Sequence, residues 1–479
     1  MGRAVAERFI SNLFPFKCSI TDFLWPRRPN RLSLSDLPLE LLLEIFEFAT
    51  YVHESRNIMP LNPFTPKYVS VNVMGPNTPT SAIRTKCALV LVSHSWRRIA
   101  LHLLYRHVHI RSPNRAKLLL RILQPDSDMS PPNTSERGQF TRYVEVSTHV
   151  RGSDTLQFLQ TVFGILQCCP NVQILSGTWE HALPDAFLAA LTRLNGSSLH
   201  ALYWGGPGSS VPVTFFSSFQ ALRALDIDNV ESCPSFVQNS LPLVQDLKVS
   251  NLDNSLQLAA SLKLPALRNL LFKSGRSVSQ DALKTFLEIH GPFLLSVDVL
   301  IRYPDTEHLH STPQHTNPAA LFLDHRHCPN LQTFTFDGRT SPFDHPVDCP
   351  VRTIGLRGIR ASDLYPNNEK NSNVRYHLES LIGDSYPFLE TVRAVEFLVE
   401  SDSDDLAKDV FIWWTERFER RGVDFQDAGG VVWAYADDSD NKQGDLETVP
   451  WDRDSRRNGI VETTQTILSR LVHAYACKV

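Results

Sequence analysis

The sequence predicts an α/β solenoid preceded by a small all-α unit. Three observations carry that expectation. A short apolar pattern, L-x-x-L-x-Φ, returns nine times between residues 169 and 395. Helix-length amphipathic stretches fall between its instances. Ahead of it lie two helical patterns separated by a proline-rich stretch.

Composition fits such a chain. Of 479 residues, 42% are hydrophobic and 20% charged, enough to bury a large core. The formal net charge of −4 provides no general attraction to nucleic acid or anionic membrane. The 31 prolines predict interrupted elements or long loops. The eight cysteines are scattered without a C-x-x-C, so buried reduced thiols are expected rather than a zinc ribbon or a redox centre.

The segment MGRAVAERFISNLFPFKCSITDF carries Glu7, Arg8, Lys17 and Asp22 through its apolar part, unlike a signal peptide. Ala6 stands where a myristoylation signal wants Ser or Thr. No apolar run approaches the ~20 residues of a membrane span. The expectation is a cytoplasmic and/or nuclear protein that binds neither membrane nor nucleic acid, with the sequons at Asn133 and Asn195 unused.

The first element is DLPLELLLEIFEFA, residues 36–49. With Leu37 as N-cap, Pro38 falls at the first helical position, where its missing N–H costs nothing, and Glu40 at the third, favoured by the helix dipole. Leu39, Leu42, Leu43, Phe46 and Ala49 then share one apolar face, and Leu41, Ile45, Phe48 and Val52 a second. Glu40, Glu44 and Glu47 form the narrow polar stripe. A helix apolar on two faces needs two surfaces to bury against. One candidate is CALVLVSHSWRRIALHLLYRHV, residues 87–108, where Leu89, Val92, Trp96, Ile99 and Leu103 recur at steps of three and four. Prolines 60, 63, 66, 76 and 79 lie between the two and predict a long loop.

L-P-x-E-L-L-L-x-I-F (Leu37–Phe46), followed by L-x-x-V-S-x-x-W-R-x-x-A (Leu89–Ala100), resembles an F-box. The departure is the insert at 51–86, of a kind that many fungal F-box proteins also carry. The resemblance covers only residues 32–110. It implies a Skp-type adaptor of a cullin–RING ubiquitin ligase as partner, with Leu37, Pro38, Leu41, Ile45, Leu91, Val92 and Trp96 at or near that interface. The alternative is an amphipathic helical hairpin that merely caps the domain behind it.

The nine instances of the pattern lead with Val172, Leu199, Leu222, Val244, Leu267, Leu294, Leu331, Val351 and Leu389. Their steps are 27, 23, 22, 23, 27, 37, 20 and 38 residues. The central steps fall in the leucine-rich-repeat range, and the two longest suggest insertions or a poorly matching unit. Segments 155–167, 279–290 and 318–327 supply helical patterns between the strands. The whole is similar to a degenerate leucine-rich-repeat solenoid over 111–400, although the usual asparagine after the strand is mostly missing. An ordinary α/β sheet is the fold alternative.

Alternation along a strand then fixes what faces the concave side. That column reads Ser176, Tyr203, Asp226, Lys248, Leu271, Asp298, Thr335, Gly355 and Arg393. Tyr203, Asp226, Lys248 and Asp298 are the candidate target contacts. The column is mixed, without the arginine cluster that a phosphopeptide receptor would need. Residues 1–31 are read as an N-terminal segment, and 401–479 as an acidic linker and C-terminal capping segment.

Enzyme readings find little support. The cluster His308, His310, His315, His325, His327 and Cys328 lacks zinc spacing. GGPGSS at Gly205 lacks the Lys-Ser/Thr of a phosphate loop. Cys168–Cys169 ends a helix, where buried thiols are the ordinary reading. The expectation is therefore no catalytic residue, cofactor or metal. The resemblances imply the substrate-recognition adaptor of an SCF-type ligase, whose solenoid binds an unknown target protein. The alternative is a leucine-rich-repeat scaffold unconnected with ubiquitin.

Overall fold

Twelve parallel strands form one sheet in which spatial order follows chain order. They are β1 (His107–Ile110), β2 (Tyr143–Val146), β3 (Ile174–Thr178), β4 (Ala201–Gly205), β5 (Ala224–Ile227) and β6 (Asp246–Ser250), then β7 (Asn269–Ser274), β8 (Ser296–Ile301), β9 (Thr333–Asp337), β10 (Thr353–Arg357), β11 (Thr391–Ala394) and β12 (Asp424–Gln426). The computed structural model describes residues 37–52, 61–64, 77–124, 134–148, 154–206, 211–227, 239–250, 252–274, 280–301, 318–344, 349–365, 372–399 and 405–435. The fold is α/β, and the strictly sequential parallel order is compatible with the expected repeat architecture.

Parallel neighbours require a crossover, and helices supply most of them. These helices share one continuous apolar core with strand residues of one parity, such as Leu202 and Trp204 on β4. All nine leading residues, Val172 to Leu389, are buried in that core. No unit could bury this face by itself, so stacking of successive units supplies the stability. Main-chain bonds also link successive units. From Arg142 to Arg352, one carbonyl just ahead of each strand accepts two N–H groups from the next unit; Arg142 O, for example, accepts from Gln173 (2.8 Å) and Ile174 (2.9 Å).

The sheet is longer than the pattern. β1 and β2 precede the first L-x-x-L-x-Φ instance, and β12 follows the last. The sequence boundaries at 110 and 400 therefore fall at the end of β1 and ahead of the helix Asp405–Glu419 and β12. The two long steps hide no further sheet strand, because β8 pairs directly with β9 and β10 with β11.

Among the described residues, three helices precede the sheet: α1 (Leu39–Ala49), α2 (Pro79–Val92) and α3 (His94–Arg106). α1 starts one residue later than expected, with Pro38 at the cap and its carbonyl accepting Leu42 N–H at 3.2 Å. The single helix expected over 87–108 is two. Ser93 is extended (φ −160°, ψ 167°) and its hydroxyl caps α3 by accepting Trp96 N–H. α2 begins well inside the expected loop, where Thr78 accepts Ser81 N–H and Pro79 takes the first helical position. Among the described residues, no helix is long and apolar enough to cross a membrane.

Candidate protein-interaction surfaces

The three helices have a core of their own, separate from that of the sheet. Leu42 and Phe46 of α1 pack with Leu89 of α2 and with Ala100 and Leu103 of α3. The Trp96 ring lies 4.7 Å from that of Phe46. α3 runs straight into β1, and its last carbonyl, Arg106 O, accepts Arg142 N–H at 2.9 Å. The Arg106 guanidinium also meets Glu47 at 3.2 Å, which ties α1 to the end of α3.

The second apolar face of α1 has no cover among the described residues. Leu41 is 46% exposed, Ile45 51% and Phe48 73%; on α2, Leu91 is 84% exposed. Leu37, Pro38 and Val92 are exposed too. Six of the seven residues named for an adaptor thus lie open. The seventh, Trp96, is half-buried against Phe46 and helps build the unit's core. Leu39 and Ile83 are exposed as well. The sequence pattern groups Leu39 with the packed face, but in the first turn of α1 it stands exposed. Ile83 lay in residues read as loop. Covering one such side chain contributes about 1.5–3 kcal/mol, so this face is a large reserve for association.

On the sheet, the strand residues of the other parity form a front face, and the expected column is in register across it. Ser176 pairs with Tyr203, Tyr203 with Asp226, Asp226 with Lys248 and Lys248 with Leu271. Leu271, Asp298, Thr335, Gly355 and Arg393 continue the row. Its chemistry divides into two parts. Towards β4–β6 it is half-open: Lys248 lies over the Tyr203 ring at 5.1 Å, and Asp226 meets Lys273 at 3.2 Å. Towards β8–β10 it is closed: Asp298 is 3% exposed and paired with Arg357 at 3.2 Å, while Thr335 is fully buried. Asp298 is therefore a buried ion-pair partner here, whereas the sequence placed it on a solvated face.

Part of what closes the face is the proline-rich insert. Leu61 N–H donates to Asp246 Oδ1 at 3.0 Å. Arg357 Nη2 donates to the carbonyl of Pro63, which is itself buried. The Phe64 ring lies 5.2 Å from the Arg393 guanidinium carbon. Sequence reasoning could not anticipate this contact, because Leu61 and Asp246 are 185 residues apart.

Burial raises the thiols of Cys169 and Cys349 to about 11 and that of Cys328 to about 12, so they stay protonated at neutral pH. Burial raises the neighbouring Cys168 too. His308, His310 and His315 lie outside the described residues. Among the described residues no group of three His, Cys, Asp or Glu could hold a metal ion. Gly206 has φ +102°, and a Cβ there would come within 2.3 Å of the Trp179 carbonyl oxygen, which explains the glycine as a turn.

The sequence matches no protein-family model, and no curated protein matches it. Among solved structures it is similar to a Bacteroides fragilis protein, determined by a structural-genomics consortium, at 12% identity. That alignment covers 61% of this chain and 76% of the other with a TM-score of 0.30, a level that carries no argument about fold or function.

Proposed function

We propose that the protein is the substrate-recognition adaptor of an SCF-type cullin–RING ubiquitin ligase. Its F-box-like helices would bind a Skp-type adaptor, and its leucine-rich-repeat-like sheet would hold a target protein. The observation that carries this reading is the exposed apolar face of α1 and α2, uncovered among the described residues, on a unit whose core is already filled from its other face. Those exposed residues are largely the ones that the F-box resemblance assigns to the adaptor. Twelve sequential parallel strands with helical crossovers support the solenoid half of the reading. Mechanistically the protein performs no chemistry: it raises the local concentration of target lysines at the ligase's catalytic end.

The scaffold reading draws on one observation, the direct run of α3 into β1, which suits an end cap. A cap, however, needs only one apolar face. The two readings separate on the Pro38→Ala/Leu41→Ala variant of the full chain, titrated calorimetrically with a purified Skp-type adaptor. Both residues are exposed, so unfolding should shift by no more than about 0.5 kcal/mol per site. Losing the Leu41 contact should weaken adaptor binding at least ~10-fold. Absence of saturable binding by the wild-type chain, or equal binding by the variant, would overturn the adaptor reading.

A further inference from the structure

The contacts made by Leu61, Pro63 and Phe64 have the character of peptide recognition. Two of the three are to backbone groups, an N–H taken by a carboxylate and a C=O taken by a guanidinium. The third is a guanidinium over an aromatic ring. The receiving side chains come from three separate strands, β6, β10 and β11, and all stand on the front face.

Each of them is also held by groups other than the segment. Asp246 Oδ1 accepts Asn269 Nδ2 at 2.8 Å. Arg357 pairs with Asp298 at 3.2 Å and with Glu396 at 3.4 Å. Arg393 Nη2 donates to Ala428 O at 2.7 Å. With these anchors the donors and acceptor are oriented before any peptide arrives, and little ordering cost is left to binding. With the segment in place Asp246 and Arg357 are almost fully buried, so these contacts are made out of water, where they count most.

We propose that the front face from β6 to β11 is a binding site for a short proline–aromatic peptide segment that turns at its Pro-Phe pair, filled in cis by residues 61–64. The trans ligand is a partner-protein segment carrying a Pro-Phe-like pair, with a free backbone N–H two residues ahead of the proline. Covalent attachment gives the cis segment a high effective concentration, so a partner must compete with it. The proposal does not depend on what the helices bind, and its test uses no adaptor.

The test is fluorescence anisotropy of a labelled peptide, PLNPFTP, titrated with the full chain. Three chains are compared: wild type, a variant with residues 61–64 replaced by Gly-Ser-Gly-Ser, and the milder Phe64→Ala. Emptying the site should tighten peptide binding about tenfold or more over wild type, the scale of a desolvated cation–π contact with its neighbouring bonds. Changing the peptide's Pro-Phe pair to Ala-Ala, or adding Arg393→Gln to the emptied chain, should reverse that gain. Phe64→Ala keeps the comparison open should the larger replacement fail to fold. No saturable binding to either cooperatively folding variant, or binding indifferent to the Pro-Phe pair, would make residues 61–64 a structural cover and overturn the proposal.

Discussion

Arg357 holds three parts of the molecule together. It pairs with Asp298 from β8, approaches Glu396 beyond β11 and donates to the Pro63 carbonyl of the insert. Its side chain and that of Asp298 are both almost wholly removed from water, at 4% and 5% exposure. Removing Arg357 takes from the buried Asp298 carboxylate the guanidinium that offsets its charge. Arg357→Met should therefore cost about 3–5 kcal/mol, read from urea unfolding. Arg352 is the contrast. It meets Glu390 at a shorter 2.9 Å, yet both side chains are largely exposed. Arg352→Ala should cost no more than about 1 kcal/mol, because solvent screens that pair. Equal costs for the two would mean that burial does not govern these pairs. At this scale the sequence showed which residues share a column, since alternation fixes the side of a strand. It did not show their environment. Asp298 reads as a solvated residue until Arg357, 59 residues on, is seen beside it.

Among the elements, two buried histidines brace neighbouring units. His290 ends the helix Gln280–His290, and its Nε2 lies 3.1 Å from Ala259 O on the preceding helix. His377, on the helix Asn373–Ile382, places Nε2 3.2 Å from Thr340 O. Each ring donates to its carbonyl in the neutral form. Burial lowers the pKa of both, outweighing the hydrogen bonds that raise it. An imidazole in the unfolded chain titrates near ~6.5, so below that pH the unfolded state takes up protons the folded state refuses. The stability concerned is fully present above about pH 6.5 and is lost as pH falls towards the folded values. His102 and His109, also lowered chiefly by burial, add in the same direction. Urea midpoints should fall between about pH 7.5 and 5.5, and His290→Gln with His377→Gln should reduce that fall. An unchanged slope in the double variant would contradict the assignment. The elements themselves were unevenly legible. α1 could be placed within one residue because Pro38 marks its start. The start of α2 was written in Thr78–Pro79, a cap followed by a first-position proline, but the surrounding prolines made the stretch look like loop. The break at Ser93 was hidden because apolar residues keep helical spacing straight through it.

For the molecule as a whole, the repeat could be read from sequence and its ends could not. Nine strands announce themselves by a leading apolar residue, usually behind Pro, Cys-Pro or Gly. HVHI of β1 and YVEV of β2 have no such lead, and β12 lies beyond a stretch read as linker. The cover on the front face was not legible at all, since it joins the insert to strands far along the chain. The exposed apolar face of α1 was legible, because too many apolar residues crowd one short helix for a single surface to bury. That face is the centre of the functional account. The most direct measurement is hydrogen–deuterium exchange of the full chain with and without a purified Skp-type adaptor. An adaptor seated on that face slows exchange in 39–49 and 83–96 and leaves β3 to β12 unchanged. No protection anywhere, or protection confined to the sheet, would contradict the adaptor reading.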